Sequence, residues 1–164
     1  MNMRKIFLLA GLWVLLGLLP LWAQKVERLG FNFTLPKGWN IASQADEEVF
    51  YAIKGLAGLQ MIAIQSNDSD ALTMATIQFL QEKTALEPAD FEKATPQQIK
   101  LKNGQAVLMD MPRDSQASQE TFTHRLYLCN IRGKRAVLLF TDICPIGQAS
   151  KIQTEETAIL NSLK

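Results

Sequence analysis

Apolar residues recur in three different rhythms along this 164-residue chain. Residues 6–19 are apolar without a break. From Leu29 to Leu35, apolar Leu29, Phe31, Phe33 and Leu35 alternate with Gly30, Asn32 and Thr34. That period of two places a strand within residues 26–35. Helical spacing appears twice. Leu72, Ala75, Phe79 and Leu86, flanked by Ile77 and Leu80, predict a main helix over residues 71–86, which Pro88 ends. Ile152, Ile159, Leu160 and Leu163 form the apolar stripe of a C-terminal helix.

Turn chemistry joins these segments. Leu35-Pro36-Lys37-Gly38 reads as a tight turn that folds Trp39 back onto the first strand. Residues 48–54 and 59–65 read as a hairpin with Gly55 and Gly58 between them. Residues 98–102 and 105–111 pair around Asn103-Gly104, a strong two-residue hairpin signal. The polar stretch 112–119 reads as a mobile loop. Residues 121–131 and 135–143 form a long hairpin across Arg132-Gly133. Ser150-Lys151-Ile152-Gln153 fits a capping box. The expected fold is therefore α+β: a mostly antiparallel sheet of about six or seven strands with two main helices packed on it.

The apolar run at the start gives an address. Arg4 and Lys5 precede it, Pro20 breaks it, and Leu21-Trp22-Ala23 offers a small residue before Gln24. These are the marks of a secretory signal peptide over residues 1–23. Residues 24–164 then form a single domain, and the protein is periplasmic or secreted. Kept uncleaved, the same run would be a signal anchor, the one route to the membrane that the sequence offers. Composition excludes other classes. There are 17 basic and 16 acidic side chains. Loss of Arg4 and Lys5 leaves 15 against 16, a near-neutral chain with no basic face for nucleic acid.

Candidate chemistry is sparse. His124 is the one histidine, mid-strand on the face of Phe122 and Leu126, which suits packing rather than general-base work. No Gly-x-Ser-x-Gly elbow, Cys-x-x-Cys or histidine pair is present, so no catalytic, cofactor or metal residue is assigned. Asp68-Ser69-Asp70 departs from a calcium loop at Leu72 and Thr73 and reads as a helix cap. Cys129 and Cys144 are two thiols in an oxidising compartment. With the turn at Arg132-Gly133, Ile131 faces Lys134 and Cys129 faces Ala136. Cys144 then lies eight residues along, roughly 26 Å at ~3.3 Å per residue, too far for a disulfide. Trp39 and Tyr51 are the candidate ligand or partner contacts if they line a surface groove.

The segment Phe31-Asn32-Phe33-Thr34-Leu35-Pro36-Lys37-Gly38-Trp39, with the long hairpin through Cys144-Pro145 into Ile159-Leu160-Asn161-Ser162-Leu163, resembles the PsbP-like fold, shared with DcrB-like envelope proteins. The resemblance spans residues 26–163. It implies an interaction module without a shared catalytic site, and it transfers no functional residue. The expectation is a non-catalytic accessory or binding module of the cell envelope, with a protein partner and no cofactor. The alternatives are a carrier of a small apolar ligand and, further off, a small hydrolase.

Overall fold

The first apolar alternation is cut by a turn. The computed structural model describes residues 22–42, 48–64, 76, 78 and 93–164. It divides residues 26–35 between β1 (Gln24–Arg28) and β2 (Phe31–Leu35). Leu29 (φ 53°) and Gly30 (φ 75°) both take left-handed backbone, as a two-residue type I′ turn requires. Val26 therefore faces Phe33. Leu29 keeps the sequence alternation in phase while its backbone leaves the strand, which is why one strand was expected where two stand.

Seven more strands form a second, wholly antiparallel sheet. They are β3 (Asn40–Ile41), β4 (Val49–Lys54), β5 (Ala57–Ile64), β6 (Gln97–Leu101), β7 (Gly104–Ser115), β8 (Glu120–Ile131) and β9 (Lys134–Pro145). Their order is β3-β4-β5-β9-β8-β7-β6. The main sheet matches the expected size, and the β1–β2 pair stands apart from it. The β8–β9 hairpin turns at Arg132 (φ 53°) and Gly133 (φ 85°). Ile131 faces Lys134, Cys129 faces Ala136, and Cys144 faces Thr121. Both cysteines are free and buried, as that register dictates.

Two turns differ from expectation. The β6–β7 turn is Lys102-Asn103, and Gly104 is already the first residue of β7. The β4–β5 turn is Gly55-Leu56, with Gly58 inside β5. Each strand glycine lies where a side chain has no room. A Cβ on Gly104 would fall 2.0 Å from the Asn130 carbonyl oxygen, and one on Gly58 would fall 2.8 Å from the Thr141 hydroxyl. The first half of the expected loop over residues 112–119 is strand, and residues 116–119 form the turn. β7 pairs with β8 through Pro112, opposite Thr123, to Ser115, opposite Glu120. β6 ends its pairing at Leu108, so Pro112 stands on an edge where its missing N–H leaves no ladder bond unmade.

One complete helix, α1 (Gln153–Ser162), is present among the described residues. The expected helix over residues 71–86 lies outside them, as does Asp68-Ser69-Asp70, save that Thr76 and Gln78 are helical. The capping box does not form. The residue before α1 is Ile152, with no side-chain cap, because the Ser150 hydroxyl is engaged elsewhere. Helix α1 and the β1–β2 hairpin share one face of the main sheet, where Phe33, Trp39, Phe50, Leu138, Phe140, Ile159 and Leu163 form the larger core. The opposite face carries Val49, Met111, Leu126, Val137 and Leu139 in a second cluster.

Candidate functional site

The first turn of α1 ends in two successive acids, and each is gripped on the sheet. Glu156 has no exposed surface, and Arg125 on β8 is 5% exposed. Arg125 Nε donates to both Glu156 oxygens, at 3.0 and 2.8 Å, and its Nη2 donates to Oε1. Nη2 also donates to Ser150 Oγ at 2.7 Å, and Ser150 in turn donates to Asp142 Oδ2 at 2.7 Å. Tyr127 Oη donates to Glu156 Oε2 at 3.2 Å. Burial works against the Arg125 charge, but the hydrogen bond and charge of Glu156 outweigh it and raise its pKa. Burial, then the Glu156 charge, hold the Tyr127 phenol well above its ordinary value. This is a satisfied buried ion pair, the arrangement in which low dielectric strengthens every bond.

Glu155 reaches the other way. Its Oε2 accepts from Trp39 Nε1 at 2.6 Å, and Lys54 Nζ binds its Oε1. Edge-to-face rings link the two acids beneath the helix: Trp39 against Phe140 at 6.4 Å, and Phe140 against Tyr127 at 5.7 Å. The circuit Glu155–Trp39–Phe140–Tyr127–Glu156 fixes both the position and the rotation of α1. Both acids also sit at the positive end of the helix dipole. This frame holds secondary structure in place and offers no open coordination or reacting position.

Trp39 and Tyr51 are not brought together. Trp39 has no exposed surface and belongs to the α1-side core, whereas Tyr51 is half-buried in the opposite cluster. His124 is half-buried on that opposite face, across from Met111 and Thr141. Cys129, Cys144, Arg125 and Asp142 alternate onto the α1 face. The sheet thus separates the histidine from both thiols and from the acids of the buried network. Burial alone pushes the Cys129 thiol up to about 12, which makes it a poor nucleophile.

Two clefts remain. One of about 640 Å³ lies over β6–β9, with Gln98, Lys100, Gln105, Asn130 and Arg135 around Leu128. A second of about 390 Å³ lies between β1–β2 and the end of α1, beside Lys25, Glu27 and Lys164. Both linings are mixed: Ile99, Ala106, Val107 and Leu128 line the first cleft beside those polar groups, and Val26 and Phe33 line the second.

The buried Arg125–Glu156 pair was not singled out from the sequence, though a signal exists. Glu156 stands four residues after Ile152 and three before Ile159, inside the apolar stripe of α1. Arg125 is likewise in phase with Tyr127, Cys129 and Ile131. A charge in the core phase of each of two elements is the sequence trace of a buried pair.

No family model and no curated protein matches the chain. Among solved structures, it shares its fold with a protein of Bacteroides thetaiotaomicron, at a TM-score of 0.54 and 14% identity. That likeness covers 88% of this chain and 48% of the other, so the chain spans about half its length. LpqN of Mycobacterium tuberculosis, described as involved in cell envelope biogenesis, aligns at a TM-score of 0.42 and 10% identity, over 87% of this chain and 90% of that one.

Proposed function

We propose that this chain is a non-catalytic accessory module that works outside the cytoplasm by binding a protein partner in the cell envelope. One observation carries the reading. The groups that nucleophilic or acid–base catalysis would have to combine are held apart: His124 on one face, and Cys129, Cys144 and the Arg125–Glu156 network on the other. The network's acids are also consumed in pairs that fasten α1. The PsbP-like resemblance supports an interaction module of this kind. The address rests on the charged start, apolar run and Ala23 exit. Cleavage there would begin the mature single domain at Gln24, the first residue of β1.

Native size analysis of envelope extracts tests the reading. The chain should run in an assembly larger than its monomer, and its intact mass should fall below the 18.4 kDa of the full sequence by the mass of residues 1–23. The purified protein should turn over no ester, amide or phosphate-ester substrate. Turnover that disappears in His124→Gln with stability intact would overturn the non-catalytic reading.

A further inference from the structure

The near balance of charge over the whole chain hides a local excess. Residues 97–109 and 126–137 carry five cations, Lys100, Lys102, Arg132, Lys134 and Arg135, and no Asp or Glu. They meet at one end of the main sheet, where Gly104 faces Ile131 beside the β6–β7 and β8–β9 turns. Two of the five are engaged. Arg132 Nη2 donates to Asn103 Oδ1 at 3.2 Å, and Lys134 Nζ donates to the Gly30 carbonyl at 2.6 Å. Lys100 and Arg135 have no ion-pair partner among the described residues.

Register puts these two cations on one line. Lys100 faces Gln105, Gln105 faces Asn130, and Asn130 faces Arg135, across four adjacent strands. Residues paired in register project to one face. Here it is the face opposite α1, since Arg135 alternates with Val137 and Leu139. All four line the cleft of about 640 Å³, as do Gln98, Val107 and Leu128 in the next row. Asn130 Oδ1 accepts from the Gly133 N–H at 3.2 Å, which leaves its Nδ2 as a donor. The cleft therefore combines two cations, three amides and an apolar strip, with no carboxylate in its lining.

Spacing narrows the occupant. Four strands at ~4.8 Å intervals set Lys100 and Arg135 about 14 Å apart along the row. An extended peptide at ~3.4 Å per residue covers that distance in four residues, and its positions i, i+2 and i+4 share a face. Side-chain amides both donate and accept, as peptide groups do. No Phe, Tyr or Trp lines the cleft to stack a base. The large exposed apolar side chains among the described residues, Trp22, Ile41, Ile53 and Leu56, all belong to other segments. The cleft thus suits neither nucleic acid nor a bilayer.

We propose that this cleft binds an extended acidic segment of the partner protein. Carboxylates four residues apart meet Lys100 and Arg135, and an apolar side chain between them rests on Val107 and Leu128. This occupant rests on the reading of the chain as a partner-binding module, and gives that module a place and a recognition rule.

Fluorescein-labelled Glu-Thr-Leu-Thr-Glu, titrated with the full chain at low salt, tests it. The peptide's anisotropy should rise, and added salt should weaken the complex. Gln-Thr-Leu-Thr-Gln should not bind. Glu-Glu-Thr-Leu-Thr, with the same composition but adjacent acids, should bind more weakly. Lys100→Gln and Arg135→Gln should each weaken binding by roughly two- to fivefold, whereas Lys37→Gln, on an exposed lysine outside the cleft, should leave it unchanged. No binding, or binding that both cleft variants leave unchanged, overturns the proposal. Equal affinity for the two acidic peptides, or displacement by glutarate as readily as by unlabelled peptide, overturns the extended occupant and makes the site one for small dianions. Native size in envelope extracts separates the two readings. An assembly that forms while the peptide fails to bind overturns this cleft alone. A missing assembly with the peptide bound overturns the accessory reading and leaves the cleft.

Discussion

Arg125 holds Glu156 across 31 residues of sequence, with three guanidinium hydrogen bonds onto a carboxylate that has no exposed surface. Glu156→Gln leaves the Arg125 charge buried without its counter-ion. It should destabilise the fold by about 3–5 kcal/mol, as breaking a buried pair does. Replacing both partners by apolar residues, Arg125→Met with Glu156→Leu, should recover most of that loss. Urea denaturation of Arg125→Met, Glu156→Leu and the double variant closes the cycle. Additive losses would mean that the pair contributes no coupling.

Trp39 serves as a core anchor with one polar obligation. Its ring is fully buried against Phe140, and its Nε1 reaches Glu155. Trp39→Ala should cost about 3–5 kcal/mol. Trp39→Phe should cost less, because Glu155 keeps Lys54 and stays in reach of water. The midpoint should fall at unchanged denaturant slope in both. A change below about 1 kcal/mol for Trp39→Ala, with partner binding lost, would mark the ring as functional.

Local features of this fold were legible, and long-range ones were not. The Arg132-Gly133 turn set the β8–β9 register correctly, and with it the separation of the two cysteines, because a two-residue hairpin is encoded within a few residues. Ser150 was misread for the opposite reason. Its spacing to Gln153 matches a capping box, but Arg125 and Asp142, distant in sequence, take the hydroxyl. Pro112 marked a loop on propensity alone. Its tolerance inside β7 follows from where β6 stops, which no local pattern announces. Trp39 and Tyr51 do not share a groove: Trp39, just before β3, packs into the α1-side core, whereas Tyr51 on β4 packs into the opposite cluster.

Alkaline pH should loosen the fold through Cys129 and Tyr127. Burial holds the Cys129 thiol at about 12 against 9.0 for the free group. The native state therefore keeps this proton where the unfolded chain loses it. The stabilisation is complete below pH 9 and is lost as pH rises toward 12, with a slope of at most about 1.4 kcal/mol per pH unit for the one proton. Tyr127, also raised, adds to the loss from above pH 10. Urea midpoints measured upward from pH 8 should fall, and Cys129→Ala should flatten the first part of the decline. Under native conditions at neutral pH neither thiol should react; after denaturation without reductant two should.

Gly104 is a test of the register itself. It faces Leu101 on β6 and Ile131 on β8. It is not among the residues with positive φ, so conformational freedom does not explain it. Space does: the added Cβ of Gly104→Ala would meet the Asn130 oxygen at 2.0 Å and the Ile131 Cα at 3.0 Å. Both are backbone atoms of the neighbouring strand and cannot rotate aside. Relief requires moving β7 and β8 apart, and the cost should be about 1–3 kcal/mol or more. Gly147→Ala makes the comparison. Its Cβ meets nothing within 4 Å, but its φ of +81° is unfavourable for a side chain, a penalty of about 1–2 kcal/mol. The two variants should therefore differ in kind. Gly104→Ala should disturb amide exchange along β7 and β8, whereas Gly147→Ala should leave those strands as they were. A Gly104→Ala protein with native stability and undisturbed exchange would rule out the β7–β8 register.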